Sequence, residues 1–262
     1  MDNHIQEVKE SISQAVSKSI EGASAIGIPF SGGLDSSLIA HLAKRKKENL
    51  QITLYTVGTP DSHDLTAAED ASITLGMNWK KVVIKSEEII EAIPKLARII
   101  DSNHPVKLSF ELPLFFALSN IKEDLILSGQ GADELFGGYA RYLKMEGEEL
   151  KNAIKKDVKE MMEKDIKMDY KIADHFDKTL RTPYLEKNVI RAAMQVPIRF
   201  KVNQGERKIV LKKAALELGL PNKIVNKRKK ASQYSSGLIK ELRKIAKKEG
   251  MDVNQLIKHL LG

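Results

Sequence analysis

The chain has 262 residues, 42% of them hydrophobic, 30% charged and 5% aromatic, with no cysteine. Its length suits one large domain or two small ones, and its composition excludes both a disordered chain and a membrane-embedded one. Without cysteine the chain has no disulfide, no thiolate metal ligand and no thiol nucleophile.

The net charge of +8 is uneven: residues 201–262 hold 16 Lys/Arg against 5 Asp/Glu, while residues 1–200 hold 27 against 30. A basic last quarter suits solvated helix faces, a polyanionic small molecule or nucleic acid. The opening run MDNHIQEVKE lacks the apolar stretch of a secretory signal, so a cytoplasmic protein is expected.

Taken in order, the N-terminal half alternates short β-type runs with helical patterns, the signature of a parallel sheet flanked by helices. Strands are expected at 24–30, 51–57, 79–84 and 124–127, with helices at 34–47, 64–75, 87–100 and 112–121. Pro29 cannot donate to a ladder and is read as the exit of the first strand. Ser86 is read as the N-cap of the helix that starts at Glu87. Strand signals stop near residue 143, which leaves an α/β core over 20–143 and an all-helical part over 144–262 within one unit. In that second part Thr182 and Pro183 open a helix to Gln195, and Gly219 with Pro221 ends a helix that begins near Glu206. The mixed-charge stretch 146–167 reads as a solvated helix. Trp79, Phe115 and Phe116 fall at core-like positions, and the six histidines lack the spacing of a transition-metal site.

Two loops carry chemistry. Ser31-Gly32-Gly33-Leu34-Asp35-Ser36-Ser37 leads from the first strand directly into a helix. Its glycines allow a tight turn, and the free N–H groups and dipole of a helix start favour an anion. A carboxylate at Asp35 would repel phosphate unless Mg²⁺ lay between them. The second loop, Ser128-Gly129-Gln130-Gly131-Ala132-Asp133-Glu134, also follows a strand and opens a helix. The carboxyl ends of strands line the crevice of an open parallel sheet, so Asp35 and Asp133 are expected to share one metal–pyrophosphate site there. Neither a Walker-type lysine loop nor a full dinucleotide fingerprint is present.

The first loop resembles that of the N-type ATP pyrophosphatases, and the second, through Leu135-Phe136-Gly137-Gly138-Tyr139, resembles the S-G-E-G-[SA]-D-E-[LV]-F-G-G-Y segment of asparagine synthetase C-terminal domains. Further likenesses follow in order: Tyr55–Gly58, Pro60–Leu65, Arg181–Glu186, Gly205–Lys208 and Lys229–Gly237. The resemblance implies an adenine nucleotide alpha hydrolase-like fold that binds ATP and Mg²⁺. It further implies that Ser31, Gly32, Gly33, Asp35, Ser36, Ser37, Val57, Ser128 and Gly129 bind the nucleotide, with Asp35 and Asp133 holding the metal and Lys208 contacting phosphate. Gln130, Asp133 and Lys208 would then serve catalysis. The implied reaction adenylates a carboxylate, foremost the β-carboxylate of aspartate, and passes it to ammonia with release of AMP and pyrophosphate.

Two departures from the family pattern bear on that reading. The glutaminase cysteine is missing, so the amine would be free ammonia, ammonia from a separate glutaminase, or an amine already on the substrate, as in the lactam-forming relatives. Gln130 stands where the family has a glutamate acting around the acyl-adenylate, which touches the amine step more than ATP binding. A tRNA-modifying ligase and a non-catalytic nucleotide sensor are the alternatives. Nucleic acid is disfavoured by the near-absence of stacking aromatics beside Tyr234 in the basic tail.

Overall fold

A computed structural model describes residues 1–60, 62–227 and 236–262. Five parallel strands, β1 (Ala25–Pro29), β2 (Gln51–Gly58), β3 (Asn78–Val83), β4 (Leu125–Leu127) and β5 (Thr179–Arg181), lie in the order β3-β2-β1-β4-β5. After β1 the chain builds outward through β2 and β3, then returns to the other side of β1 for β4 and β5. The reversal between β1 and β4 is a topological switch point, where the two strand ends diverge and leave a crevice.

Helices cover both faces, and each face has its own apolar core. On one face α1 (Asp2–Ser19) and α2 (Leu34–Lys46) meet α3 (His63–Leu75), α9 (Lys187–Gln195) and α10 (Ile209–Glu217) around Ile26, Ile28 and Leu54. On the other, α4 (Ser86–Ile100), α5 (Pro105–Asn120) and α8 (Ile166–His175) join α12 (Leu238–Lys248) and α13 (Val253–Leu261) around Tyr55, Val57 and Ile126. Strand alternation sends successive side chains to opposite cores, so Leu54 and Tyr55 part to different clusters. Burial of each such aliphatic side chain contributes about 1.5–3 kcal/mol.

The first four strands and their helices agree with the sequence to within one or two residues at most ends. Pro29 does end β1, in register with Tyr55, and the ladder continues by one bond from the Phe30 N–H to the Tyr55 carbonyl, 2.8 Å. Helix α5 starts seven residues earlier than expected, at Pro105: Pro113 lies inside the helix rather than at its first turn. Ser86 is the first residue of α4, not its cap. Lys85 caps, with its N–H donating to the Glu88 carboxylate at 2.8 Å, while the Ser86 hydroxyl donates to Glu241 on α12 at 2.8 Å.

The C-terminal part is not all-helical. Strand β5 joins the main sheet, and β6 (Val202–Asn203) pairs with β7 (Glu206–Arg207) across a turn at Gln204 and Gly205, both with positive φ. Three- and two-residue strands are too short to show alternation in sequence. The helix expected from Glu206 therefore begins at Ile209. Likewise the run from Pro183 divides into a 3₁₀ turn, Pro183–Leu185, and α9, because Glu186 between them is extended. The stretch 146–167 forms α7 (Gly147–Glu160) and a π-helical turn, Met161–Asp165. It is amphipathic rather than freely solvated, with Leu150, Ile154, Val158 and Met161 buried. Nor is the part beyond residue 143 an extension, since its elements pack on both faces of the sheet. Among the described residues no helix is long and apolar enough to cross a membrane.

Candidate active site

The loops after β1 and β4 meet at the switch point. Gly32 takes φ +67°, and a Cβ there would stand 2.4 Å from the Ala67 carbonyl oxygen on α3, so both conformation and space demand glycine. Gly33 then caps α2 in an extended conformation. The Ser31 N–H donates to the Ser36 hydroxyl at 3.4 Å, which folds the loop over the helix start. Across the crevice, Ser128 extends the β5 ladder with its N–H on the Arg181 carbonyl at 2.9 Å. Gly129 follows, and its Cβ position lies only 3.3 Å from the Ser36 nitrogen. The second loop's backbone is thus pressed against the first.

At this junction Lys208 bridges two carboxylates. Its Nζ lies 2.7 Å from Asp35 Oδ1 and 2.6 Å from Asp133 Oδ1, with the lysine side chain 7% exposed and the aspartates 12% and 24%. Lys208 reaches them from the end of the β6–β7 hairpin with φ +56°, a left-handed conformation a lysine adopts only under constraint. Two contacts impose it: the Arg207 guanidinium donates to the Gly138 carbonyl at 2.5 Å, and the Lys201 carbonyl accepts the Ile209 N–H at 3.1 Å. Gly138 leaves the room, since a Cβ there would fall 1.8 Å from Asp133 Oδ1 and 2.2 Å from Lys208 Cε. The buried Tyr184 hydroxyl donates to the Asp35 carbonyl oxygen at 3.2 Å and fixes the start of α2 from behind.

A cavity of about 500 Å³ opens over this junction. Phe30, Ser31 and the end of β2 (Tyr55, Thr56, Val57) line it, as do Asp35, Ser36, Ser128, Gly129, Gln130 and Asp133. Gly32, Gly33, Ser37 and Lys208 are not on its wall; Ser37 is fully buried and Lys208 reaches the wall's aspartates from beneath. Thr56 is held by donating to the Phe30 carbonyl at 2.6 Å while the Trp79 indole donates to it at 2.8 Å. Of the late basic stretch, Lys229–Ser235 lies outside the described residues, as does Asp61. Ser236 lines the cavity, and its carbonyl accepts the Thr59 N–H at 2.9 Å.

The same cavity holds an acidic group the sequence did not reveal. Glu111 on α5 and Asp169 on α8 are 8% and 1% exposed and line the wall beside Gln130, with Asp165 nearby. Burial raises Asp169 to about 7, with Asp165 and Glu134 adding repulsion against contacts from Glu111 and Gln130. Burial, then the charge and hydrogen bond of Asp169, hold Glu111 well above the carboxylate range. Glu134 is also raised by burial, although the Tyr139 hydroxyl donates to it. The available signal was a carboxylate at a buried position in each of two otherwise apolar helix faces.

Two aspartate oxygens converging on one ammonium form a donor set that fits a small hard cation. Mg²⁺ typically takes one or two carboxylates and completes its shell with water and substrate phosphate. Among the described residues no group of three or more His, Asp or Glu is placed to hold a metal ion.

A parallel sheet with a glycine-serine loop at its switch point and paired aspartates lining the cavity there defines an open α/β protein of the doubly wound kind. The Asparagine synthase family model matches residues 7–157 and 144–254, and the chain belongs to that family. A Methanocaldococcus jannaschii protein named asparagine synthetase 1, glutamine-hydrolyzing, is 34% identical over 96% of this chain and 54% of its own length. The asparagine synthetase of Triphysaria versicolor is 28% identical over 86% of this chain and 41% of its own. The chain thus spans about half the length of these relatives. Among solved structures, NMN synthetase from Francisella tularensis aligns with TM-score 0.47 and 14% identity over 98% of this chain and 92% of that one.

Lys208→Met should destabilise the fold by the low end of about 3–5 kcal/mol, because it removes the buried ammonium that Asp35 and Asp133 share. Millimolar Mg²⁺ should restore part of that loss in urea titrations. Equal stability without Mg²⁺ would show that the bridge contributes nothing. Asp169→Asn tests the acidic wall. A carboxyl whose folded pKa is raised loses stability as pH climbs from its unfolded value of about 4 through the folded value near 7. The variant should therefore gain up to about 4 kcal/mol on the parent protein at pH 8 and little at pH 4. A pH-independent difference would contradict the buried charge.

Proposed function

We propose that the chain is an AMP-forming amide ligase that activates a carboxylate with ATP and passes it to ammonia. The observation that carries this reading is the convergence of Asp35 and Asp133 on one cation beneath the glycine-serine loop, where the α–β bond of a bound nucleotide would need its charge neutralised. Membership of the asparagine synthase family supports it, and makes the β-carboxylate of aspartate the first acid to test.

In this reading adenine lies against the Val57 backbone at the end of β2. Ser31, Ser36, Ser128 and the backbone around Gly32, Gly33 and Gly129 receive the phosphates, as N–H groups and hydroxyls at a helix start suit an anion. Ser37 supports the loop from within. Asp35 and Asp133 hold Mg²⁺, which supplies charge neutralisation to the leaving pyrophosphate. Lys208 then turns its ammonium from the aspartates to phosphate. A carboxylate oxygen attacks the α-phosphorus, the α–β bridge breaks, and pyrophosphate leaves. Ammonia attacks the acyl carbon next, and the carbon–oxygen bond to AMP breaks. Gln130 borders that step as a neutral amide. These 262 residues contain no cysteine, so they supply no thiolate for glutamine hydrolysis, and ammonia reaches the site from outside them.

Incubation with ATP, Mg²⁺, ammonium and a panel of amino acids should yield AMP and pyrophosphate in equal amounts, read by mass spectrometry. Asp35→Asn and Asp133→Asn should each lower that yield by about 10²-fold or more, the scale of losing one charge-stabilising group. ADP and orthophosphate as main products would overturn the assignment.

A further inference from the structure

The acidic wall of the cavity is not used by the nucleotide binding proposed above. Glu111 and Asp169 face each other from α5 and α8, with Asp165 on the π-helical turn that leads into α8 and Glu134 on α6 (Ala132–Phe136) close by. Among the described residues neither Asp169 oxygen has a hydrogen-bond partner of normal geometry, although the side chain is 1% exposed and lines the cavity. A buried carboxylate without a firm partner leaves unspent capacity to accept hydrogen bonds.

Among the described residues, Lys107 on α5 is a cation that acts on Glu111, and Arg141 on the cavity rim is engaged by Asp157 at 2.5 Å. Lys208 acts on Glu134, from its seat between Asp35 and Asp133. Position 130, beside Asp169, is a neutral amide rather than a further acid. A bound carboxylate would meet net negative charge here; a cation with N–H donors would meet acceptors. Phe110, Leu114 and Met168 complete the wall with apolar surface, which suits a short alkyl stem.

We propose that Glu111 and Asp169 form a subsite for a protonated amine, the ammonium or primary alkylammonium group of a substrate of this cavity. The subsite replaces a negative charge at position 130 with one shared by two helices. Which amine arrives rests on the amide-ligase reading: either the acceptor before it attacks, or the α-ammonium of the activated amino acid. That a cation binds does not rest on it. The pair would be largely ionised at pH 8 once such a cation is present, since a neighbouring positive charge favours the carboxylate form.

The thermal midpoint of the full chain at pH 8 tests this with ammonium, methylammonium, tetramethylammonium and potassium chlorides at equal concentration. Ammonium and methylammonium should raise the midpoint by about 2–4 °C over potassium at concentrations well above Kd, and tetramethylammonium, which has no N–H, should not. Asp169→Asn and Glu111→Gln should each abolish the difference while still unfolding cooperatively. Aspartate and succinate separate the sources: a rise with aspartate alone, lost in both variants, assigns the subsite to an α-ammonium, and a rise with ammonium and methylammonium assigns it to the acceptor. No rise with any N–H cation, or a rise that persists in both variants, would make the pair a structural contact and overturn the proposal. Absence of AMP formation with every acid would remove the ligase reading and leave this result standing.

Discussion

Lys208 sits where a fold of this charge pattern needs a cation. Two aspartates from separate loops are brought within hydrogen-bond distance of one ammonium, and each would repel the other if it were gone. Coulomb repulsion between buried like charges is large compared with the net stability of a domain. Most of the local architecture follows from satisfying it. Gly138 has no side chain because there is no room beside the bridge, and the hairpin before Lys208 holds that lysine in a left-handed conformation. The Tyr184 hydroxyl tethers the Asp35 backbone so that its carboxylate stays aimed at the crevice.

The sheet supplies the other half of the constraint. A parallel sheet that reverses its winding direction beside its first strand must leave a gap at the carboxyl ends of β1 and β4. Loops leaving those strands enter helices at once, so Asp35 falls in the first turn of α2 and Asp133 in the first turn of α6. The glycines set how closely these loops approach each other and α3. Phosphate-binding potential and metal-binding potential thus arise from one geometric fact, the position of the switch point.

Much of this is legible in the sequence. The alternation of apolar runs with helical patterns located four of the five main-sheet strands, and the two loops placed Asp35 and Asp133 at the same edge. Strand β5 escaped because three residues, Thr179–Arg181, cannot establish a period. The hairpin carrying Lys208 escaped for the same reason, and with it the fact that Lys208 bridges the aspartates rather than standing apart from them. Tyr184 falls in the family-like stretch Arg181–Glu186, but only the fold brings its hydroxyl to the Asp35 carbonyl. Glu111 and Asp169 are 58 residues apart, and nothing local marks them as a pair. Their burial on facing helices is a tertiary fact.

The central claim is that the Lys208 ammonium occupies the position a divalent cation takes when nucleotide binds. A crystal structure with Mn²⁺ and a non-hydrolysable α,β-methylene analogue of ATP tests this most directly, because manganese can be located by its anomalous scattering. The account predicts a manganese peak coordinated by Asp35 and Asp133, with Lys208 Nζ withdrawn from both and on a phosphate oxygen. Lys208 still bridging the two aspartates, with the metal held by other residues, would contradict it.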